Sequence, residues 1–164
     1  MALKGDRYLA ITEISFFMDQ EATRGGVTVL KTAGSGAALD QQAAEVEYAA
    51  NPSGSYPVGL LLDDMVDKDL TRTHLNFQKS EHQKGSKVGL LRDGWVVTNM
   101  FYAPTGVAHV PTAGKIAYLG PSGLLTISVG PGADYPVVGR FESSLDEDGY
   151  AKVYIKLPSD THNT

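Results

Sequence analysis

His74, Glu81 and His82 fall in one short segment, with His109 and His162 further along the chain, and these residue types ligate zinc or exchange protons near neutral pH. Their spacing assembles neither device. His74 and His82 are eight positions apart rather than paired in an HExxH motif, and on an extended chain they would stand more than about 20 Å apart. Asp63, Asp64, Asp67 and Asp69 offer the hard oxygens that calcium or magnesium takes, but in no known loop spacing, so the run reads as a solvated turn after an apolar strand. Asp146-Glu147-Asp148-Gly149 matches only a fragment of a calcium loop and reads better as a hairpin turn. There is no Gly-x-Ser-x-Gly elbow, Gly34-Ser35-Gly36 lacks the rest of a dinucleotide fingerprint, and no phosphate-loop lysine is present. With no cysteine there is no thiolate nucleophile, disulfide framework or Cys-based zinc site. The expectation is a protein that is not an enzyme and uses neither metal nor cofactor.

The scaffold for these residues is 164 residues long, enough for one domain of roughly 15 Å radius of gyration. Apolar residues at 42% and charged residues at 20% suit a chain that buries a core. A net charge of −5 argues against binding nucleic acid through its phosphates. No run of 18 apolar residues exists, and the N-terminus lacks the basic-then-apolar order of a signal peptide, so no membrane partner is expected.

Eighteen glycines and eight prolines break the chain into short segments rich in Val, Ile, Leu, Thr and Tyr, which predicts a mainly β fold, a small barrel or sandwich built from hairpins. In the clearest strand, Val153, Ile155 and Leu157 alternate with Lys152, Tyr154 and Lys156; with Val137–Phe141 it forms a predicted C-terminal hairpin. Lys87–Thr98 and Lys115–Thr126 read as two further hairpins, turning at Asp93-Gly94 and at Gly120–Gly123. Residues 37–50 read as a strand pairing with Val58–Leu62 across Asn51–Gly54, with a short helix as the alternative. The expected division is an N-terminal arm or edge segment at 1–36, a β-rich body at 37–158 and a tail at 159–164.

Two surface features suggest partners. Between Leu70 and Arg92 the chain carries Arg72, Lys79, Lys84, Lys87 and Arg92 against Glu81, five cations minus one carboxylate, or +4. Such segregation in an acidic chain steers association with an acidic protein surface, or simply forms a solvated loop face. Trp95, Tyr102, Tyr118 and Tyr135 could build an aromatic platform for a sugar or small ligand, although a Trp following a glycine more often packs within a strand.

The ordered strings ISFFMDQEATRGG (Ile14–Gly26), PVGLLLDDMVDKDLTR (Pro57–Arg72), GSKVGLLRDGWVVTN (Gly85–Asn99), AYLGPSG (Ala117–Gly123) and VGRFESSLDEDGYAKVYIKL (Val138–Leu157) resemble capsid decoration, or cement, proteins of tailed bacteriophages. The resemblance covers most of the chain. It implies a small β-rich module, often a homotrimer, made in the host cytoplasm and placed on the outer surface of the head. There it would clamp neighbouring copies of the major capsid protein, with no catalytic residue, cofactor or direct nucleic-acid contact. On this reading Phe16, Phe17, Met18 and Arg24 of the arm, with Arg72, Lys79, Lys84 and Lys87, are the candidate capsid or subunit interface. Phe16, Phe17 and Met18 could equally belong to an interior strand of the monomer. The alternative function is a small ligand- or carbohydrate-binding β module of a virion surface or tail.

Overall fold

The computed structural model describes residues 2–31, 44–68, 80–102, 110–129 and 132–158. The strands in chain order are β1 (Leu3–Glu13), β2 (Val27–Leu30), β3 (Val46–Glu47), β4 (Pro57–Leu61), β5 (Asp64–Val66), β6 (Glu81–Gln83), β7 (Leu90–Thr98), β8 (Ile116–Leu119), β9 (Leu125–Thr126), β10 (Val137–Phe141) and β11 (Ala151–Lys156). One 3₁₀ turn, Pro121–Gly123, joins β8 to β9, and no α-helix occurs among the described residues. The mainly β expectation is met by a nine-stranded sheet curled into a half-barrel.

Its order is β3-β2-β4-β7-β11-β10-β8-β9, and the long strand β7 carries β1 on its other edge. A separate two-stranded parallel ribbon pairs β5 with β6. The curl brings the two ends of the main sheet together. Ser122 N–H donates to the Ala49 carbonyl at 2.7 Å, and the ring of Tyr48 lies on Gly123.

The curl encloses a first core, in which residues of neighbouring strands meet: Val96 from β7, Val153 and Ile155 from β11, Val138 and Phe141 from β10, and Ala117 and Leu119 from β8. A second core, Met18, Val46, Val58, Leu61, Met65, Val88 and Leu90, lies against the β5–β6 ribbon. Strand β4 separates the two, with Leu60 in the first and Leu61 in the second. That is why β4 is buried at every position: a strand covered on both faces needs a continuous apolar run rather than alternation.

The C-terminal hairpin forms as expected. Phe141 pairs with Val153, and the connecting turn is held by Asp146, whose Oδ1 accepts the N–H groups of Asp148 and Tyr150. Lys115–Thr126 is also a hairpin, with Tyr118 opposite Thr126. Lys87–Thr98 is not. Asp93-Gly94 lies inside the continuous strand β7, because Gly94 serves a close approach and not a turn: a Cβ there would collide with the Tyr8 carbonyl oxygen of β1.

Residues 44–50 contain the short strand β3, which pairs with β2; β2 separates it from β4, so the pairing expected across Asn51–Gly54 does not occur. Residues 32–43 lie outside the described residues. The N-terminal segment also needs correcting. Strand β2 is interior to the main sheet, so a boundary near residue 36 does not part an arm from a body. Only β1 is armlike: its residues Gly5–Thr12 are all exposed.

Candidate functional site

The residues expected to form an interface are dispersed. Met18 has no exposed surface and belongs to the second core, with Phe16 half-buried against it. Met18 is therefore unavailable to a partner, and the interior alternative holds for it. Phe17 is half-buried, bridged by backbone bonds to Ala44 and Val46, with Lys87 Nζ 5.6 Å from its ring centroid. Arg24 is half-buried, and its backbone N–H donates to Asp64 Oδ1 at 2.7 Å. Lys84 pairs with Asp67 at 3.2 Å. Arg72 and Lys79 lie outside the described residues. The basic segment is thus already partly committed, since Arg92 Nε also donates to the Val58 carbonyl.

The acidic run and His82 are engaged in the same way. Asp63 Oδ2 lies 3.3 Å from His82 Nε2, and Lys68 reaches Glu81 at 3.4 Å. Glu21, Ala22, Thr23, Asp64, Met65 and Val66 line an open cleft of about 400 Å³ beside this ribbon. No group of three His, Asp or Glu side chains converges as metal ligands would, among the described residues. His74, His109, His162 and Asp69 lie outside them.

What the fold does bring together is a row across the outer face of the sheet. Tyr8 of β1 stands opposite Trp95 of β7, Trp95 opposite Tyr154 of β11, Tyr154 opposite Arg140 of β10, and Arg140 opposite Ile116 of β8. Five neighbouring strands at about 4.8 Å spacing make this row roughly 19 Å long. It exists because β7 and β11 alternate, sending Val96, Val153 and Ile155 into the core and Trp95 and Tyr154 outward. A register shift in β10 between Val137 and Gly139 lets Val138 and Phe141 both face the core and leaves Arg140, opposite Tyr154, outside. Tyr8 and Arg140 are exposed, and Trp95 and Tyr154 are half-buried.

Hydrogen bonds and charges fix the middle of the row. Lys152 Nζ sits 4.0 Å above the Trp95 ring and 3.1 Å from Glu142, so a cation–π contact and an ion pair share one ammonium. Tyr154 donates its hydroxyl to Asp93 Oδ1 at 2.6 Å, and that bond to a carboxylate raises the phenol's pKa. Arg140 and Lys156, both exposed, make no ion pair or side-chain hydrogen bond among the described residues.

Of the four aromatic residues read as a platform, the structure puts Trp95 and Tyr118 on this outer face, three strands apart. Tyr102 instead packs its Cβ near Gly120. The sequence reading missed Tyr8 and Arg140. Tyr154 and its lysine neighbours were visible as the wet side of an alternating strand, but nothing local tells which strands will stand beside it.

Compared with known proteins, the chain matches no family model, and no curated protein matches it in sequence.

Proposed function

We propose that this chain is a structural virion protein, a capsid decoration protein that binds the outer surface of a phage head as a homotrimer and stabilises contacts between major capsid subunits. One observation carries the reading. The strings that resemble decoration proteins are scattered over a hundred residues of sequence, yet four of the five supply β4, β7, β11, β10 and β8, which are consecutive neighbours in the main sheet. The resemblance therefore follows a single structural block. The exposed β1, with Leu9 and Ile11 at 38% and 55% exposure and Ile14 beyond it at 68%, supports self-association, because a long exposed edge strand is a template for pairing.

A binder of the assembled lattice stabilises the shell by mass action, without chemistry of its own. The alternative, a carbohydrate-binding module, needs an open aromatic face to stack on, and Lys152 occupies that of Trp95. Mass spectrometry of purified virions, with copy number relative to the major capsid protein, tests the reading, together with sedimentation of the recombinant chain with heads that lack it. Light scattering tests the trimer. A chain absent from virions and unable to sediment with heads overturns it.

A further inference from the structure

We propose that the outer-face row Tyr8–Trp95–Tyr154–Arg140, with Lys156 beside it, is the surface that docks on a partner protein, and that the partner presents carboxylates to Arg140 and Lys156. The proposal rests on the decoration reading in naming that partner as the major capsid protein. Its chemistry is argued from the face itself. Tyr, Trp and Arg are the side chains that dominate binding energy in protein interfaces, and here they stand side by side on a regular sheet rather than on a loop. Lys152 over Trp95 and the Tyr154–Asp93 hydrogen bond already hold the two central rings, so little of their side-chain freedom is lost on docking.

The charges decide what kind of surface fits. Asp93 and Glu142, the carboxylates beside the row, are held by Tyr154 and Lys152, whereas Arg140 and Lys156, the latter opposite Asp93 in register, make no ion pair or side-chain hydrogen bond among the described residues. A chain of net charge −5 thus offers free cations around an aromatic centre, and an acidic protein surface complements that pattern. Single-stranded nucleic acid fits less well. Base stacking needs open ring faces, and the Trp95 face is covered by Lys152.

The test is co-sedimentation with phage heads lacking the protein, using the full chain and the single variants Tyr8→Ala, Arg140→Glu and Lys156→Glu, each checked for an unchanged circular dichroism spectrum. Lys68→Glu, at the exposed end of the β5–β6 ribbon and outside every proposed interface, is the control. Each row variant should weaken head binding at least tenfold, and wild-type binding should fall with added salt, while the control binds like wild type. Row variants that fold and bind as wild type overturn the proposal and leave the decoration reading standing. Loss in Lys68→Glu alone overturns it by moving the contact to the ribbon. No binding by wild type removes the decoration reading, and the proposal with it. Tight binding of an oligothymidine that Arg140→Glu abolishes overturns the choice of a protein partner.

Discussion

The ring of Tyr48 occupies the space that a side chain at position 123 would fill: a Cβ on Gly123 would lie 2.5 Å from Tyr48 Cδ1. The Tyr48 hydroxyl donates to the Thr23 carbonyl at 2.7 Å and accepts the Gly26 N–H at 3.2 Å. One side chain thus ties β3, the approach to β2 and the turn before β9 where the ends of the curled sheet meet. Burial drives the phenol's pKa far above its ordinary value, so the hydroxyl is a neutral donor at neutral pH.

Gly123→Ala should therefore be among the most damaging small substitutions. It adds a methyl against an aromatic ring and forces alanine to φ +76°. The expected loss is about 2–4 kcal/mol, read from urea unfolding. Gly149→Ala shares a positive φ of +81° but meets nothing within 4 Å, so it should cost only about 1 kcal/mol. Equal losses would show that backbone strain, and not the Tyr48 contact, governs position 123.

Met18→Ala should cost about 2–5 kcal/mol, because its side chain is wholly buried among Val46, Val58, Leu61, Met65, Val88 and Leu90, and the surrounding residues can only partly close the cavity. Thermal unfolding measures it. A change under about 0.5 kcal/mol would place the side chain at a surface after all.

How much of this was legible in the residues depended on whether the signal was local. The C-terminal hairpin was, because Val153, Ile155 and Leu157 alternate with polar neighbours and Asp148-Gly149 marks the turn. Asp93-Gly94 carried the same turn chemistry and misled, since a glycine that admits a neighbouring backbone looks identical to one that reverses the chain. The apolar run Ile14–Met18 could not be assigned between core and interface, because both demand apolar side chains; for Met18 the contact with β4 and with the ribbon decides it. The outer-face row was invisible for a related reason. Tyr8 and Arg140 are 132 positions apart, and only the strand order β1-β7-β11-β10 makes them part of one surface.

The start of β1 is pinned by Lys4, whose Nζ lies 2.7 Å from Asp146, 3.4 Å from Asp148 and 4.5 Å from the centre of the Tyr150 ring. The hydrogen bond from Lys4, then the Tyr150 N–H, hold the Asp146 carboxyl below its ordinary pKa. A depressed folded-state pKa gives stability that is present above the unfolded value, near 3.9, and is lost as pH falls through the lower folded value. Lys4 is raised, chiefly by Asp146, so its share is complete below about pH 10.4 and is lost as pH rises through the folded value. Asp146→Asn should thus shrink the acid-side fall in melting temperature while leaving the plateau between the two limbs only slightly lower, since the pair is solvent-exposed. An unchanged acid limb would assign that fall to other carboxylates.

Two truncations separate the parts that the N-terminal segment combines. Removing residues 1–13 deletes β1 and Ala2, of which only Ala2 and Leu3 are buried, and breaks the contact between Thr98 Oγ1 and the Ala2 carbonyl at 3.0 Å. Burying a leucine contributes about 1.5–3 kcal/mol, less than the total stability of an ordinary domain, so the remainder should stay folded with a lower melting temperature. It should also lose self-association if the exposed β1 mediates it, and lose Tyr8 from the outer-face row. Removing residues 1–26 takes Met18 from the second core and the Gly25 N–H that bonds to the Leu61 carbonyl at 2.9 Å, exposing both faces of β4 near Leu60 and Leu61. No local rearrangement replaces those contacts, and this longer deletion should show no cooperative thermal transition. Circular dichroism melts distinguish the outcomes. Cooperative unfolding of the 27–164 fragment near the wild-type temperature would mean that Met18 adds little to the body, while collapse of the 14–164 fragment would mean that pairing along β7, and not the two buried side chains, is what β1 contributes.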